Sequence, residues 1–235
     1  MLVFKNISIG YKTPLFSIEE LSLSKGKLVV LIGANGTGKT TFFNTLLGIH
    51  QPLNGQIELN KTPLFSINRA KRTATFGFVP SRFSGVNYLS VRELISTGRA
   101  PFTNVLNRLS KTDHEVVNDV ISQLNLTELQ DKSTSEVSDG ERQIAMIGKA
   151  LAQSTEVILL DEPTAFLDYT NRKKVLSILS DLAKEENKLI IISSHDLELC
   201  MQYAQEIIAI DQKTKSLLHF NSPFQPKRII QRIFE

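Results

Sequence analysis

The apolar positions of this chain fall into two kinds of run. Short stretches mixing apolar, β-branched and polar residues fill the first thirty positions: LVFKNISI from Leu2, LFSIEELSL from Leu15 and KLVVLI from Lys27, separated by Lys12-Thr13-Pro14 and Lys25-Gly26-Lys27. They predict an antiparallel β layer leading into a buried strand. Asn54-Gly55, just ahead of Gln56-Ile57-Glu58-Leu59-Asn60, predicts another hairpin in that layer. Uninterrupted apolar runs come later, at Thr75 to Val79 (closed by Pro80), Glu156 to Leu160 (ending at Asp161), Lys188 to Ser193 and Glu206 to Ile210. Runs of that kind suit strands covered on both faces. Helical patterns at about Asn171 to Glu186 and Asp196 to Tyr203 alternate with them, which predicts parallel strands joined by crossovers. From about Ser81 to Gln153 the texture is helical, and Ser90 with Glu93 and Thr112 with Glu115 have the spacing of capping boxes. The pattern as a whole predicts an α/β fold forming one domain over residues 1–235: a mainly parallel core sheet, an N-terminal antiparallel β layer, and an inserted helical subdomain at about residues 81–155.

One stretch carries chemistry beyond its pattern. Leu28 to Gly48 reads LVVLIGANGTGKTTFFNTLLG, an apolar run, a glycine-rich turn and a periodic segment closed by glycine. Gly33, Gly38, Lys39 and Thr40 match G-x-x-x-x-G-K-[ST], a strand–loop–helix element whose backbone N–H groups curl around phosphates at a helix N-terminus. Gly33, Ala34, Asn35, Gly36, Thr37, Gly38, Lys39, Thr40 and Thr41 are the candidate nucleotide-binding residues, with Lys39 reaching the β- and γ-phosphates and Thr40 offering its hydroxyl to Mg²⁺. Ile158-Leu159-Leu160-Asp161-Glu162-Pro163 sets two carboxylates at the C-terminal end of a buried strand, where open α/β sheets place ligands. Asp161 is the candidate Mg²⁺ partner and Glu162 the candidate base for an attacking water. His195, just past the Lys188 to Ser193 run, falls at the same sheet edge and is a candidate γ-phosphate contact.

Composition narrows the setting. A chain of 235 residues supports a substantial core and lies near the upper size of one domain. Its net charge is +3, and Lys and Arg are spread along the chain rather than blocked, which argues against a nucleic-acid partner while suiting an anionic nucleotide. The tail from Asn221 is too short for another domain, and its Lys227, Arg228 and Arg232 are expected to form a solvated face. The single cysteine, Cys200, excludes an internal disulfide and is expected to be a packing residue in a reducing compartment. The opening MLVFKNISIGY lacks signal-peptide character, and no apolar run approaches membrane-spanning length, so a cytoplasmic protein is expected.

Between the phosphate loop and the carboxylates lies VSDGERQIAMIGKALAQ, at Val137 to Gln153. With it, the chain resembles an ABC-type nucleotide-binding domain, a P-loop NTPase, over essentially its whole length. The Walker A motif is Gly33 to Thr40, the signature Val137 to Glu141, Walker B Val157 to Glu162, the D-loop Phe166-Leu167-Asp168 and the switch histidine His195. The resemblance implies ATP with Mg²⁺, and a head-to-tail homodimer in which Ser138 and Gly140 of one chain meet the γ-phosphate held by the other. It also implies that Tyr11 stacks on adenine. Asp139 and Glu141 depart from the usual LSGGQ; Glu141 still completes a capping box with Ser138, and Asp139 is expected to point away from the phosphate. Ser81 stands where the family generally has a glutamine that reaches the metal, so Ser81 is expected to reach Mg²⁺ only through water, with looser coupling of metal binding to loop movement. Its neighbour Arg82 is expected to face a permease.

Ser90-Val91-Arg92-Glu93-Leu94, Gly98-Arg99-Ala100-Pro101-Phe102 and Asn107-Arg108-Leu109-Ser110 are similar to ATPases of importers for ferric siderophores, haem and vitamin B12. That similarity implies two copies of the chain on the cytoplasmic face of two transmembrane permease subunits, served by an extracytoplasmic substrate-binding protein. Two competing readings are a soluble ABC ATPase acting on a macromolecular assembly and a nucleotide-gated scaffold without turnover. The single nucleotide domain and the absence of a basic stripe weigh against the first, and Glu162 with His195 against the second.

Overall fold

A computed structural model describes residues 1–103 and 108–234. The chain opens with β1 (Leu2–Gly10), β2 (Pro14–Leu23) and β3 (Lys27–Ile32), then α1 (Lys39–Leu46), β4 (Asn54–Leu59), β5 (Thr62–Pro63), α2 (Arg69–Thr75) and β6 (Phe76–Val79). Three helices follow, α3 (Val91–Ser96), α4 (Lys111–Gln123) and α5 (Asp139–Ala152). The last part alternates: β7 (Val157–Leu160), α6 (Tyr169–Glu185), β8 (Leu189–Ser193), α7 (Leu197–Tyr203), β9 (Glu206–Asp211), β10 (Ser216–Asn221) and α8 (Pro226–Phe234). Among the described residues the strands form a mixed sheet in the order β5-β4-β1-β2-β10-β9-β3-β8-β7-β6. The block β9-β3-β8-β7-β6 is parallel, and β5-β4-β1-β2 is antiparallel. No described helix is long and apolar enough to cross a membrane.

Strand alternation divides the core in two. Leu28, Val30 and Ile32 of β3, with Ile158, Leu160, Ile190 and Ile192, pack with α3, α4, α5 and α6, as through Ile95, Val117, Ile147 and Leu179. Their neighbours Val29, Leu31, Leu159, Leu189 and Ile191 face Phe42, Phe43 and Leu46 of α1 and the antiparallel strands. Both faces of the parallel block are therefore covered, which is why its strands read as unbroken apolar runs. Phe42 is fully buried and stacks on Phe4 with ring centroids 5.5 Å apart. Burying such a ring contributes about 1.5 to 3 kcal/mol, and two adjacent ones hold the start of α1 against the sheet.

Several local expectations are corrected. Asn54-Gly55 is not a hairpin turn: it opens β4 opposite a register shift in β1, and a Cβ on Gly55 (φ +80°) would lie 2.2 Å from the Asn6 carbonyl oxygen. The tight turn of that hairpin is Asn60-Lys61, both at positive φ (+49° and +68°) between β4 and β5, the pattern of a type I′ turn. The second capping box is Ser110 with Asp113, not Thr112 with Glu115. Ser110 Oγ accepts the Asp113 N–H at 3.2 Å, and its own N–H is taken by Asp113 Oδ2 at 2.9 Å. Residues 81–90 are not helical, and α3 starts only at Val91. Three elements were not foreseen: α2, β10, which pairs antiparallel with β9, and the C-terminal α8. On α8, Lys227 and Arg232 are exposed; the side chain of Arg228 and the whole of Asn107 lie outside the described residues. Cys200 is buried in α7, and burial pushes its thiol up to about 11, as befits a packing residue.

Candidate functional site

The site begins where β3 meets α1. A Cβ on Gly33 would stand 2.6 Å from Thr37 Oγ1, and Gly38 enters the helix at φ +111°, a backbone state that excludes most side chains. Gly38 gives α1 no side-chain cap, so the first N–H groups of the helix are left to a ligand. Lys39 is only 7% exposed, and its Nζ donates to the carbonyl oxygens of Gly33 at 2.8 Å and Ala34 at 3.3 Å. Its closest described carboxylate oxygen, Glu162 Oε1, stands 3.9 Å away. Desolvation lowers the Lys39 pKa below its ordinary value, opposed by Glu162 and Asp161. A buried ammonium bonded only to neutral carbonyls, beside a loop that curls because its glycines allow it, fits a phosphate chain.

The facing wall comes from β7 and β8. In-register pairing of Val79 with Leu160 and of Leu160 with Ile192 brings the ends of β6, β7 and β8 to one edge. There Asp161, 6% exposed, takes the Thr40 hydroxyl on Oδ2 at 2.9 Å and the Ser193 hydroxyl on Oδ1 at 2.6 Å. Thr40 itself is exposed. A hydroxyl and a carboxylate oxygen meeting at the mouth of a phosphate loop are the hard oxygen donors that Mg²⁺ takes, with waters filling the rest of its shell. Glu162 sits at φ +49°, its N–H donated to Ser193 Oγ at 2.8 Å, and its Oε1 lies 2.6 Å from His195 Nε2. Glu162, His195, Thr164, Arg172, Ser194 and Asp196 line a cavity of about 220 Å³.

Lys39, Thr40, Asp161, Glu162 and His195 thus share one edge, though Lys39 and His195 lie 156 positions apart in sequence (195 − 39). Ser81 is half-buried two residues beyond Val79, whose carbonyl accepts the Asp161 N–H at 2.8 Å, and no described hydrogen bond joins its hydroxyl to Thr40 or Asp161. Arg82 lies over the Phe166 ring, 5.7 Å from its centroid. Tyr11 is 59% exposed and packs edge-on against His50, ring centroids 5.1 Å apart.

Ser138 and Gly140 open elsewhere, onto a cavity of about 540 Å³ whose other walls include Phe166, Leu167 and Asp168 but no residue of the phosphate loop. Ser138 caps α5, accepting the Glu141 N–H at 3.3 Å while its N–H and O–H both reach Glu141 Oε2 at 2.8 Å. Those bonds hold the Glu141 carboxyl below its ordinary pKa, the Ser138 backbone N–H acting most. Asp139 is tied to Arg142 at 2.6 Å along its own helix.

Sequence reading missed Ser193 and the Arg172–Asp196 ion pair, whose atoms are 3.6 Å apart. The signal for Ser193 was slight: a polar residue ending a strand that is apolar on both faces.

A profile of the family described as ABC transporter matches residues 17–165. A Bacillus subtilis protein assigned to siderophore transport as its ATP-binding component is 34% identical over 89% of this chain and 76% of its own length. The molybdate import ATP-binding protein of Haemophilus influenzae is 33% identical over 97% of this chain and 83% of its own length. A solved structure described as an inward-facing, metal-chelate type ABC transporter aligns with a TM-score of 0.83 at 29% identity, covering 98% of this chain and 87% of that one.

Proposed function

This chain belongs to the ABC transporter family as an ATP-hydrolysing subunit, and from that premise we propose that it powers import of an iron chelate, haem or cobalamin. What carries the reading is the 34% identity to a siderophore-transport ATP-binding protein, extending over 89% of this chain. The working unit we propose is a homodimer on the cytoplasmic face of two permease subunits, with an extracytoplasmic binding protein delivering cargo. Within each chain, residues 81–155 act as a helical subdomain inserted in the nucleotide-binding core.

The site residues have distinct tasks in this reading. Lys39 and the loop N–H groups neutralise the β- and γ-phosphates, and Tyr11 gives the adenine a ring face to stack on. Thr40 and Asp161 hold Mg²⁺, with Ser81 reaching it through water. Bound Mg²⁺ would neutralise charge developing on the phosphate oxygens. Glu162 accepts the proton of the attacking water, and His195, bonded to Glu162, orients it and contacts the γ-phosphate.

The separation of Ser138 and Gly140 from the phosphate loop supports a site completed by a second chain. Ser138→Arg on one chain is then expected to block hydrolysis at its partner's phosphate loop. In heterodimers of Ser138→Arg with Lys39→Ala both lesions fall in one composite site, so ATPase activity should rise above that of either mutant homodimer. Crosslinking of the closed dimer checks assembly, and equal, complete loss in every mixture of crosslinked dimers would argue against the shared site.

Molybdate is the second reading, because the relative that imports it aligns over 97% of this chain. The test is reconstitution with permease and binding-protein pairs of siderophore and molybdate importers, in liposomes containing ATP. ATP-dependent uptake of a ⁵⁵Fe-loaded siderophore is expected; uptake of molybdate alone would shift the assignment. A chain that copurifies with no membrane protein would favour action on a soluble assembly.

A further inference from the structure

We propose that Ser193 is the positioning residue that sets both carboxylates of the ATPase site at once, an inference that rests on the roles given above to Asp161 and Glu162. Ser193 ends β8, beside Leu31 of β3, and is fully buried. A hydroxyl has one proton to give and lone pairs to receive with. The Glu162 N–H can only donate, so at 2.8 Å the Ser193 oxygen accepts it. The hydroxyl proton is then free for Asp161 Oδ1, and the 2.6 Å separation is that of a charge-assisted O–H···O⁻ bond.

Each bond has a separate consequence. Asp161 turns about a soft terminal torsion, and satisfying Oδ1 from below leaves Oδ2 aimed at Thr40, 2.9 Å away. Glu162 stands at φ +49°, a conformation that L residues with large side chains adopt only when their surroundings impose it. The accepted N–H is part of that imposition, and it directs the Glu162 side chain to His195 Nε2 at 2.6 Å. One hydroxyl thereby links the metal ligand to the base. No other described side chain bonds both residues.

The test uses Ser193→Ala and Ser193→Thr, with Asp161→Asn and Glu162→Gln alongside. Mn²⁺ affinity is read by electron paramagnetic resonance in the presence of a non-hydrolysable ATP analogue. Fluorescent ATP binding in EDTA reads the phosphate loop alone, and thermal unfolding checks the fold. Removing a group that orients a metal ligand typically costs 10- to 100-fold. Ser193→Ala is expected to weaken Mn²⁺ by about that factor and lower kcat comparably, with ATP binding in EDTA and the melting curve near wild type. Ser193→Thr, which keeps the hydroxyl, is expected to recover most of both. Wild-type Mn²⁺ affinity and kcat in Ser193→Ala, with Asp161→Asn impaired, would overturn the role of Ser193 alone. Unimpaired Mn²⁺ binding in Asp161→Asn would remove the underlying reading and this proposal with it. Equal loss of ATP binding in EDTA, or failure of Ser193→Thr to recover Mn²⁺ affinity while folding normally, would also overturn it.

Discussion

Glu162→Gln is expected to lower ATP turnover by about 10²- to 10⁴-fold while ATP binding survives. The substitution is close to isosteric, and the amide oxygen can occupy the place of Glu162 Oε1, 2.6 Å from His195 Nε2. The backbone N–H bond to Ser193 and the left-handed φ of +49° do not depend on the side-chain charge. Lys39 keeps its carbonyl partners on Gly33 and Ala34, so the phosphate loop is unchanged. What disappears is a base able to take a proton from water. Steady-state phosphate release, equilibrium nucleotide binding and gel filtration should together show a bound, dimeric and nearly inactive protein. Hydrolysis within a few-fold of wild type would show that Glu162 is not the base.

The largest loss of stability is expected from Arg99→Met. Arg99 is 7% exposed and ties three segments together: its Nε donates to Asp113 of α4 at 2.8 Å, and one terminal nitrogen reaches the Ala152 carbonyl at 2.8 Å and the Ser154 hydroxyl at 3.1 Å. Its guanidinium also lies 3.9 Å from the centroid of the Phe102 ring. A buried ion pair is weak evidence for stability when both partners could be replaced together, but removing one leaves the other in a site with little water. The expected loss is about 3 kcal/mol or somewhat more, which in a domain of this size lowers the melting temperature by roughly 6 to 12 °C. Calorimetry or urea unfolding would measure it, and a change under about 1 kcal/mol would mean the network contributes little.

The same network predicts acid sensitivity. The Ser110 hydroxyl and backbone N–H, and then Arg99, hold the Asp113 carboxyl down at about 2 from an ordinary 3.8. A depressed native pKa means that the stabilisation is complete above the unfolded value and is lost as pH falls from 3.8 through about 2. Stability should decline over that window, and less steeply in Arg99→Met, where one of the causes is gone.

Gly98 to Phe102 shows how a run of sequence can be read correctly as a resemblance and still leave its physical task unread. The letters mark a kind of ATPase; only the packing of α4 and α5 against that turn turns Arg99 into a buried tie. Turn positions missed for a related reason. Asn54-Gly55 carries hairpin chemistry, but β1 lies beside β4, so the pair forms a strand opening with a register shift and the reversal falls at Asn60-Lys61. Ser110 and Thr112 could each cap a helix by spacing, and the choice went to Ser110, whose partner Asp113 also meets Arg99.

By itself the sequence determined what depends on near neighbours: the phosphate-loop turn, whose conformations only its glycines permit; the apolar runs that must be covered on both faces; and the capping boxes at Ser90 and Ser138, each closed within four residues. Tertiary structure alone decided which distant groups meet. Thr40 touches Asp161 across 121 positions, and Ser193 reaches Asp161 across 32, because the register of β3, β7 and β8 brings their ends to one edge. It also decided that Ser138 and Gly140 open onto a cavity that no residue of the phosphate loop lines. The reason is one of range: backbone preference and periodicity act over a few residues, whereas strand register and side-chain burial are settled by the packed core as a whole.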